Sequence, residues 1–385
     1  MTADENSAAQ TIQMLLSEAW KARASDVHLE PRAQSMRVRY RIDGLLHDRR
    51  QLTGNVVPTV SNRLKVLGGL DIAEKRVPQD GSFRHVVDGV DLVCRVATFP
   101  TEYGEKFALR LLAERREVPS LTEIGMPNVL GDQLRAAARR PSGLVLVTGP
   151  TGSGKTSTMY ALLRELERAE VAIFTLEDPI EYRFASVTQG QTNPRAGFTF
   201  ASGLRAILRQ DPNIIMVGEM RDSETAAIAC TAALTGHMVI SSLHTNSVAD
   251  TFVRLTDVGV ERYVLAAALR AVVNQRLVRR LCLGCRKPAP TTDADRRALH
   301  PLPVPAQMWE PKGCLRCNGT GYHGRVGLFE MVEMDDDLAG RLKSGSGRQE
   351  FTAELLKRGV KPIQQAGFEA AIAGITSVTE VLRVA

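Results

Sequence analysis

A chain of 385 residues is long enough for two or three separate cores, because a single core stops growing beyond about 250 to 300 residues, so at least two domains are expected. Its 49 basic and 43 acidic residues leave a formal charge of +6, a mild excess that permits contact with nucleic acid or an anionic membrane face without identifying either. The acidic N-terminus Met1-Thr2-Ala3-Asp4-Glu5-Asn6 lacks the basic and apolar segments of a signal peptide, and Arg270 interrupts the longest apolar stretch, 264–273, so a cytosolic protein, at most peripheral to a membrane, is expected.

In chain order, Ala8, Ile12, Leu15, Leu16, Ala19 and Ala22 keep helical spacing, and an extended segment begins at Asp26. Met36, Val38, Tyr40 and Ile42 alternate with Arg37, Arg39 and Arg41, which predicts a half-buried antiparallel strand with a basic outer face. Asp43-Gly44 turns it into the next strand. A helix over 57–67 follows, then strands over 81–96 and 106–112 with turn signals at Asp88-Gly89 and Tyr103-Gly104. This N-terminal α+β domain is expected to span 1–115, with a polar linker over 116–141 that begins around Glu114-Arg115-Arg116.

From Leu144 the texture becomes short apolar strands, at 144–148, 171–176, 214–217 and 238–241, separated by helical segments. That is the mark of a parallel sheet with crossovers, an α/β ATPase core over 142–280. Its first strand runs into Gly149-Pro150-Thr151-Gly152-Ser153-Gly154-Lys155-Thr156, a complete GxxxxGK[ST] phosphate loop, and a helix continues to Leu166. The glycines let backbone N–H groups turn around phosphate oxygens, Lys155 reaches the β and γ phosphates, and Thr156 offers a hydroxyl to Mg²⁺. Ser157 completes the set expected to hold ATP.

Hydrolysis also needs a carboxylate to orient water, usually at a strand end beside that loop. The apolar strand 214–217 ends in Gly218-Glu219, which makes Glu219 the expected general base. Glu177, Asp178 and Glu181 follow another apolar strand and suit metal or water positioning, a solvated acidic turn being the alternative. His237 and His244 flank the strand at 238–242, and a neutral histidine at a strand end can donate to phosphate. Phosphoryl transfer gains from a cation supplied by a neighbouring domain or subunit. Arg84, Arg95 and Arg110 lie on or beside predicted strands of the first domain, and spacing does not choose among them.

Beyond Arg280 come two CxxC pairs, Cys282/Cys285 and Cys314/Cys317, twenty-eight residues apart; Cys94 and Cys230 stand alone. Four thiolates so spaced fit one tetrahedral structural Zn²⁺, so 281–325 is expected to be a tetracysteine element. Helical segments around 337–342, 349–358 and 368–373 make up a C-terminal region over 326–385.

These stretches, with Ser25-Asp26-Val27-His28-Leu29-Glu30-Pro31, Arg39-Tyr40-Arg41-Ile42-Asp43-Gly44, Lys75-Arg76-Val77-Pro78-Gln79-Asp80-Gly81, Gln275-Arg276-Leu277-Val278-Arg279-Arg280 and Gly324-Arg325-Val326-Gly327-Leu328-Phe329-Glu330, form a signature. The chain resembles the GspE/PilB-type ATPases of type II secretion and type IV pilus assembly. The resemblance implies a PAS-like domain joined to a RecA-like P-loop ATPase core and a homo-hexameric ring. It also implies an acidic box around Glu177, Glu219 as the catalytic carboxylate, His237 and His244 in a histidine box, and arginines from the PAS-like domain completing the site. The tetracysteine element favours the assembly and secretion branch over the retraction motors. In that branch ATP hydrolysis drives an inner-membrane platform protein from the cytoplasmic side. The resemblance further implies an extra N-terminal docking domain that this sequence begins without, and an arginine directly after Gln-Asp-Gly where Ser82 stands, two positions before Arg84. A retraction or conjugative motor on the same core is the nearest alternative. A nucleic-acid translocase is the alternative from another class, but the basic run 276–287 has no aromatic residue for base stacking, so no nucleic-acid partner is expected.

Overall fold

The computed structural model describes residues 3–113 and 117–385. The chain divides into two units, Met1–Arg115 and Arg116–Ala385. Glu114, Arg115 and Arg116, where the linker was expected to begin, lie outside the described residues.

The first unit contains α1 (Ala3–Lys21), β1 (Ala24–Arg32), β2 (Ser35–Ile42), β3 (Leu45–Thr53), α2 (Val56–Gly68), β4 (Gln79–Val87), β5 (Val90–Thr101) and β6 (Gly104–Ala113). Its strands form one six-stranded sheet in the order β3-β2-β1-β6-β5-β4. Every neighbouring pair is antiparallel. Asp43 and Gly44, like Asp88 and Gly89, have positive φ, the backbone that two-residue hairpins with the native twist require. The alternation in β2 buries Met36, Val38, Tyr40 and Ile42 with Ile12, Leu15, Leu16 and Ala19 of α1. The other face of β2 is basic but neutralised in place, Arg37 bonding to Asp48 and Arg39 to Glu30. Lys65 of α2 is fully buried, its Nζ 2.6 Å from Glu105 and 2.5 Å from the carbonyl of Glu74. It thereby pins the loop between α2 and β4.

The second unit runs α3 (Asn128–Ala138), β7 (Gly143–Thr148), α4 (Lys155–Leu166), β8 (Ile173–Glu177), β9 (Thr188–Gln191), α5 (Phe200–Ile207), β10 (Ile214–Val217), α6 (Ser223–Leu234), β11 (Met238–Leu243), α7 (Val248–Asp257), α8 (Arg262–Ala268) and β12 (Leu269–Leu281). It continues with β13 (Lys287–Pro290), α9 (Asp293–Leu299), β14 (Gln307–Glu310), β15 (Tyr322–Glu333), α10 (Asp336–Ser344), α11 (Arg348–Lys357), α12 (Ile363–Ile372) and α13 (Val378–Val384). The seven-stranded sheet has the order β15-β12-β7-β11-β10-β8-β9. All pairs are parallel except β12 with β15. Strands covered on both faces read as unbroken apolar runs, and β7 and β10 are buried at every position. Odd and even residues feed two cores, Val145, Val147 and Met216 on one face, Leu144, Leu146 and Ile215 on the other. Among the described residues no helix is long and apolar enough to cross a membrane.

Three sequence boundaries shift. The stretch 116–141, expected as a linker, contains α3, because Leu134, Ala137 and Ala138 are buried in the core that includes Met159 and Leu163. The parallel sheet does not stop at 280, since β12 runs to Leu281 and pairs with β15, which crosses the expected boundary at 325. The tetracysteine segment is therefore an insertion between two adjacent strands of one sheet. The C-terminal region includes a further helix, α13, docked through Glu380.

Burial would raise the Glu380 carboxyl, but hydrogen bonds from Arg383, the Arg279 side chain and the Arg279 backbone N–H hold it down to about 2. Its stabilisation is complete above the ordinary carboxyl range and is lost as pH falls toward 2. Glu380→Gln is expected to lower stability by about 2 kcal/mol at neutral pH, the scale of hydrogen bonds to charged groups. The deficit should shrink as acid titrates the unaltered chain, which denaturation at several pH values checks; a constant deficit would refute the assignment.

Candidate functional site

The phosphate loop is shaped by what surrounds it. A Cβ on Gly149 would lie 2.4 Å from the carbonyl of Gln275 on β12, and one on Gly154 would lie 2.8 Å from the Gln275 amide. Both glycines also have positive φ, so each is required for conformation and for space. Gln275 donates from Nε2 to the Ser153 carbonyl at 2.7 Å and accepts from Thr158 Oγ1 at 2.7 Å, bracing the loop against α4. The buried Ser153 Oγ, within the loop, has no hydrogen-bond partner and is an orphaned polar group there. That chemistry fits a polyphosphate. Thr151 is exposed, and Thr156 and Ser157 are half-buried in the first turn of α4.

Lys155 is 8% exposed and folds back on the loop, donating to the carbonyls of Gly149 at 2.9 Å and Pro150 at 3.1 Å. Burial pushes its amine down to about 8, the Glu219 charge opposing and the Arg276 charge adding to the effect. Its Nζ is 3.5 Å from Nδ1 of His244, whose Nε2 is 3.3 Å from Oε2 of Glu219; Oε1 of Glu219 pairs with Arg221 at 2.5 Å. Lys155, His244, Glu219 and Arg221 thus form one line across the ends of β7, β11 and β10. Burial raises the Glu219 carboxyl, but Arg221 and His244 outweigh it and hold the group below the usual range. A carboxylate kept ionised beside a phosphate loop can accept a proton from water.

The acidic segment separates into two kinds of residue. Glu177 is 2% exposed and accepts hydrogen bonds from Tyr160, from Thr175 at 2.5 Å and from Gln189 at 3.1 Å. Burial raises its pKa in spite of these partners. It ties α4 to β8 and β9. Asp178 and Glu181 are exposed, and the charge of Asp178 acts on Arg221. His237 precedes β11 while His244 follows it, so the two histidines stand at opposite ends of a strand, and His237 bonds to the carbonyl of Ala232. Tyr160, which also accepts the backbone N–H groups of Glu181 and Tyr182, belongs to no recognisable motif. Its only sequence signal is a phenol one helical turn past the phosphate loop.

Within the first unit, Arg84, Arg95 and Arg110 occupy one face of the sheet. Arg95 pairs in register with Ser82 on β4 and with Arg110 on β6, and Arg84 lies two residues from Ser82. Arg110 donates to Asp26 at 3.1 Å.

The four cysteine sulfurs lie within 4.8 Å of one another, with Cys282 3.9 Å from Cys314, and Cys317 3.8 Å from both Cys285 and Cys314. Four sulfurs at about 2.3 Å from a tetrahedral centre would be about 3.8 Å apart, whereas a disulfide requires about 2.05 Å. Burial opposes ionisation of Cys317, but the backbone N–H groups of Cys314 and Gly321 bring its thiol down to about 6. The donor set fits a thiophilic divalent ion.

The family model described as "Type II/IV secretion system protein" matches residues 1–383. The chain is 45% identical over 374 residues to type II secretion system protein E of Klebsiella pneumoniae, covering 97% of this chain and 75% of that protein. It is 42% identical over 383 residues to the type IV pilus assembly ATPase PilB of Thermus thermophilus, covering 98% of this chain but 43% of that protein. It therefore spans less than half the length of the Thermus relative. Among solved structures, the Legionella pneumophila ATPase DotB superposes with a TM-score of 0.71 at 24% identity, covering 97% of this chain and 94% of that one. The pilus retraction motor PilT with bound ADP superposes with a TM-score of 0.63 at 27% identity, covering 97% and 96%.

Proposed function

The chain belongs to the type II/IV secretion system protein family, and from that membership we propose that it is an ATP-hydrolysing motor that powers type II secretion or type IV pilus assembly. The observation that carries the reading is the line Lys155, His244, Glu219 at the mouth of a phosphate loop. The loop amides and Lys155 hold the β and γ phosphates, with Ser157 supporting them from the first turn of α4. When bound at Thr156, Mg²⁺ supplies charge neutralisation of those phosphates. Glu219 takes a proton from the water that attacks the γ phosphorus, and ADP departs on the opposite side. His244 connects that carboxylate to Lys155 and so to the phosphate. Asp178 and Glu181 form an outer acidic rim, and Glu177 positions α4 from behind.

The first unit is read as the PAS-like domain and the seven-stranded sheet as the RecA-like core. Arg84, Arg95 and Arg110 supply positive charge to a nucleotide site, a role supported by their common face. The working assembly is a homo-hexamer on the cytoplasmic face of the inner membrane, acting on a platform protein there. The tetracysteine element holds one structural Zn²⁺. Purified protein is expected to release phosphate from ATP with Mg²⁺ and to stop when EDTA is added. No phosphate release with Mg²⁺ across a range of protein concentrations would sink the reading.

A further inference from the structure

Three consecutive polar residues in the middle of β12, Asn274, Gln275 and Arg276, are 0%, 2% and 8% exposed. Burying such groups is unfavourable unless each is hydrogen-bonded, so their partners indicate what the strand is for. Side chains alternate across a strand, and here they divide accordingly. On one face Gln275 holds the phosphate loop through Ser153 and α4 through Thr158. On the other face Asn274 Nδ2 and Arg276 Nη2 each donate to the carbonyl of Asn246 at 3.0 Å, and Nη2 also reaches Asn246 Oδ1 at 3.3 Å. Arg276 Nη1 donates to Asn274 Oδ1 at 3.3 Å and to the Gln275 carbonyl at 3.2 Å. Asn274 Nδ2 also reaches Glu330 on β15 at 3.1 Å. Asn246 is two residues past His244 and directly precedes Ser247, whose side chain caps α7.

We propose that β12 is a coupling strand for ATP hydrolysis, with Gln275 setting the phosphate loop and Arg276 acting as a positioning residue that holds the His244 loop against Glu219 and Lys155. The inference rests on the ATPase reading and gives a role to a residue that the sequence placed in a signature stretch and a basic run without one. Among the described residues no carboxylate bonds to Arg276 directly; the opposite charge acting on it is that of Glu330, reached through Asn274. A buried guanidinium satisfied by carbonyls and amides is a poor choice for simple packing. Its charge is felt at Lys155, where it adds to burial in lowering the amine. One rigid strand thus joins the loop that binds the phosphates to the loop that carries His244.

The test is steady-state ATP hydrolysis by the full chain, with thermal stability measured on every variant. Arg276→Gln is expected to lower kcat about 10- to 100-fold with KM for ATP changed less than about threefold, the scale of a lost charged hydrogen-bonding group. Gln275→Ala should instead raise KM about tenfold with a smaller loss in kcat. Arg276→Lys keeps the charge but not the fork and should recover only part of kcat. Should Arg276→Gln fail to fold, Asn246→Ala removes one contact at the receiving loop and is expected to lower kcat about threefold with KM unchanged. If kcat falls and KM rises together in all variants, in proportion to lost stability, β12 is only structural and the proposal is overturned. Unchanged kcat in Arg276→Gln overturns it as well. A wild-type chain without ATPase activity would instead remove the reading beneath it.

Discussion

Glu219→Gln is expected to bind ATP as well as the unaltered chain and to hydrolyse it about 10²- to 10⁴-fold more slowly, the usual contribution of a positioned general base. The amide keeps the shape of the side chain and can still reach Arg221 and His244, which flank the carboxylate at 2.5 and 3.3 Å. It cannot accept the proton of an attacking water. Because the carboxyl is held below its usual range, the base is ionised throughout the neutral region, and the loss should be the same from pH 6 to 8. Lys155→Ala makes the informative contrast. It removes the cation of the phosphate loop, so nucleotide binding should weaken about 10- to 100-fold before hydrolysis is considered. Phosphate release and calorimetric binding of a non-hydrolysable analogue separate the two variants. Wild-type turnover in Glu219→Gln would assign the base elsewhere, with Asp178 and Glu181, the exposed carboxylates of the acidic segment, as the candidates.

The second large effect concerns the tetracysteine element. Purified protein is expected to contain about one zinc per chain, and Cys317→Ser or exhaustive chelation should unfold residues 282–321 while leaving the phosphate loop able to bind nucleotide. The size follows from zinc-binding free energies of about 10 to 16 kcal/mol in small zinc modules, where metal binding and folding are one event. Besides the cysteines, the segment is held by the two-stranded sheet of β13 and β14, by a small core in which Leu299 and Met308 pack with Phe368, Ala371, Val378 and Val381, and by Arg286 donating to the Gly374 carbonyl. Hydrogen exchange confined to 282–321, beside a metal assay, reads the outcome. A metal-free protein with full protection there would refute the site.

What could be read from residue order alone was local. The phosphate loop and the CxxC pairs carry their chemistry in a few consecutive residues, and Glu219 shows itself because an apolar strand must end before a charge can follow. The two-residue turns at Asp43-Gly44 and Asp88-Gly89 were legible for the same reason. Non-local pairing was not. That Glu177 faces inward depends on Tyr160 and Gln189, which come from other elements. That His237 and His244 part company depends on the length of β11. The role of Asn274, Gln275 and Arg276 required knowing that β12 lies beside β7, which no spacing within 269–281 reveals. Helix α3 lies where polar residues dominate its flanks, and which of Val129, Leu130, Leu134, Ala136, Ala137 and Ala138 face inward shows only once the core beneath Leu134, Ala137 and Ala138 is in place.

The insertion between β12 and β15 bears on how the chain folds. Leu281 pairs with Tyr322, so forty residues, 282–321, leave the sheet and return at one point. Pairing two strands across such a gap is a slow step, since loop closure must be completed before any contact rewards it. A cross-link among Cys282, Cys285, Cys314 and Cys317 reduces the effective separation to the few residues beside each strand. Metal capture early in folding would then set the register of the sheet's edge strand, and zinc supply during synthesis would govern how fast the chain reaches its folded form.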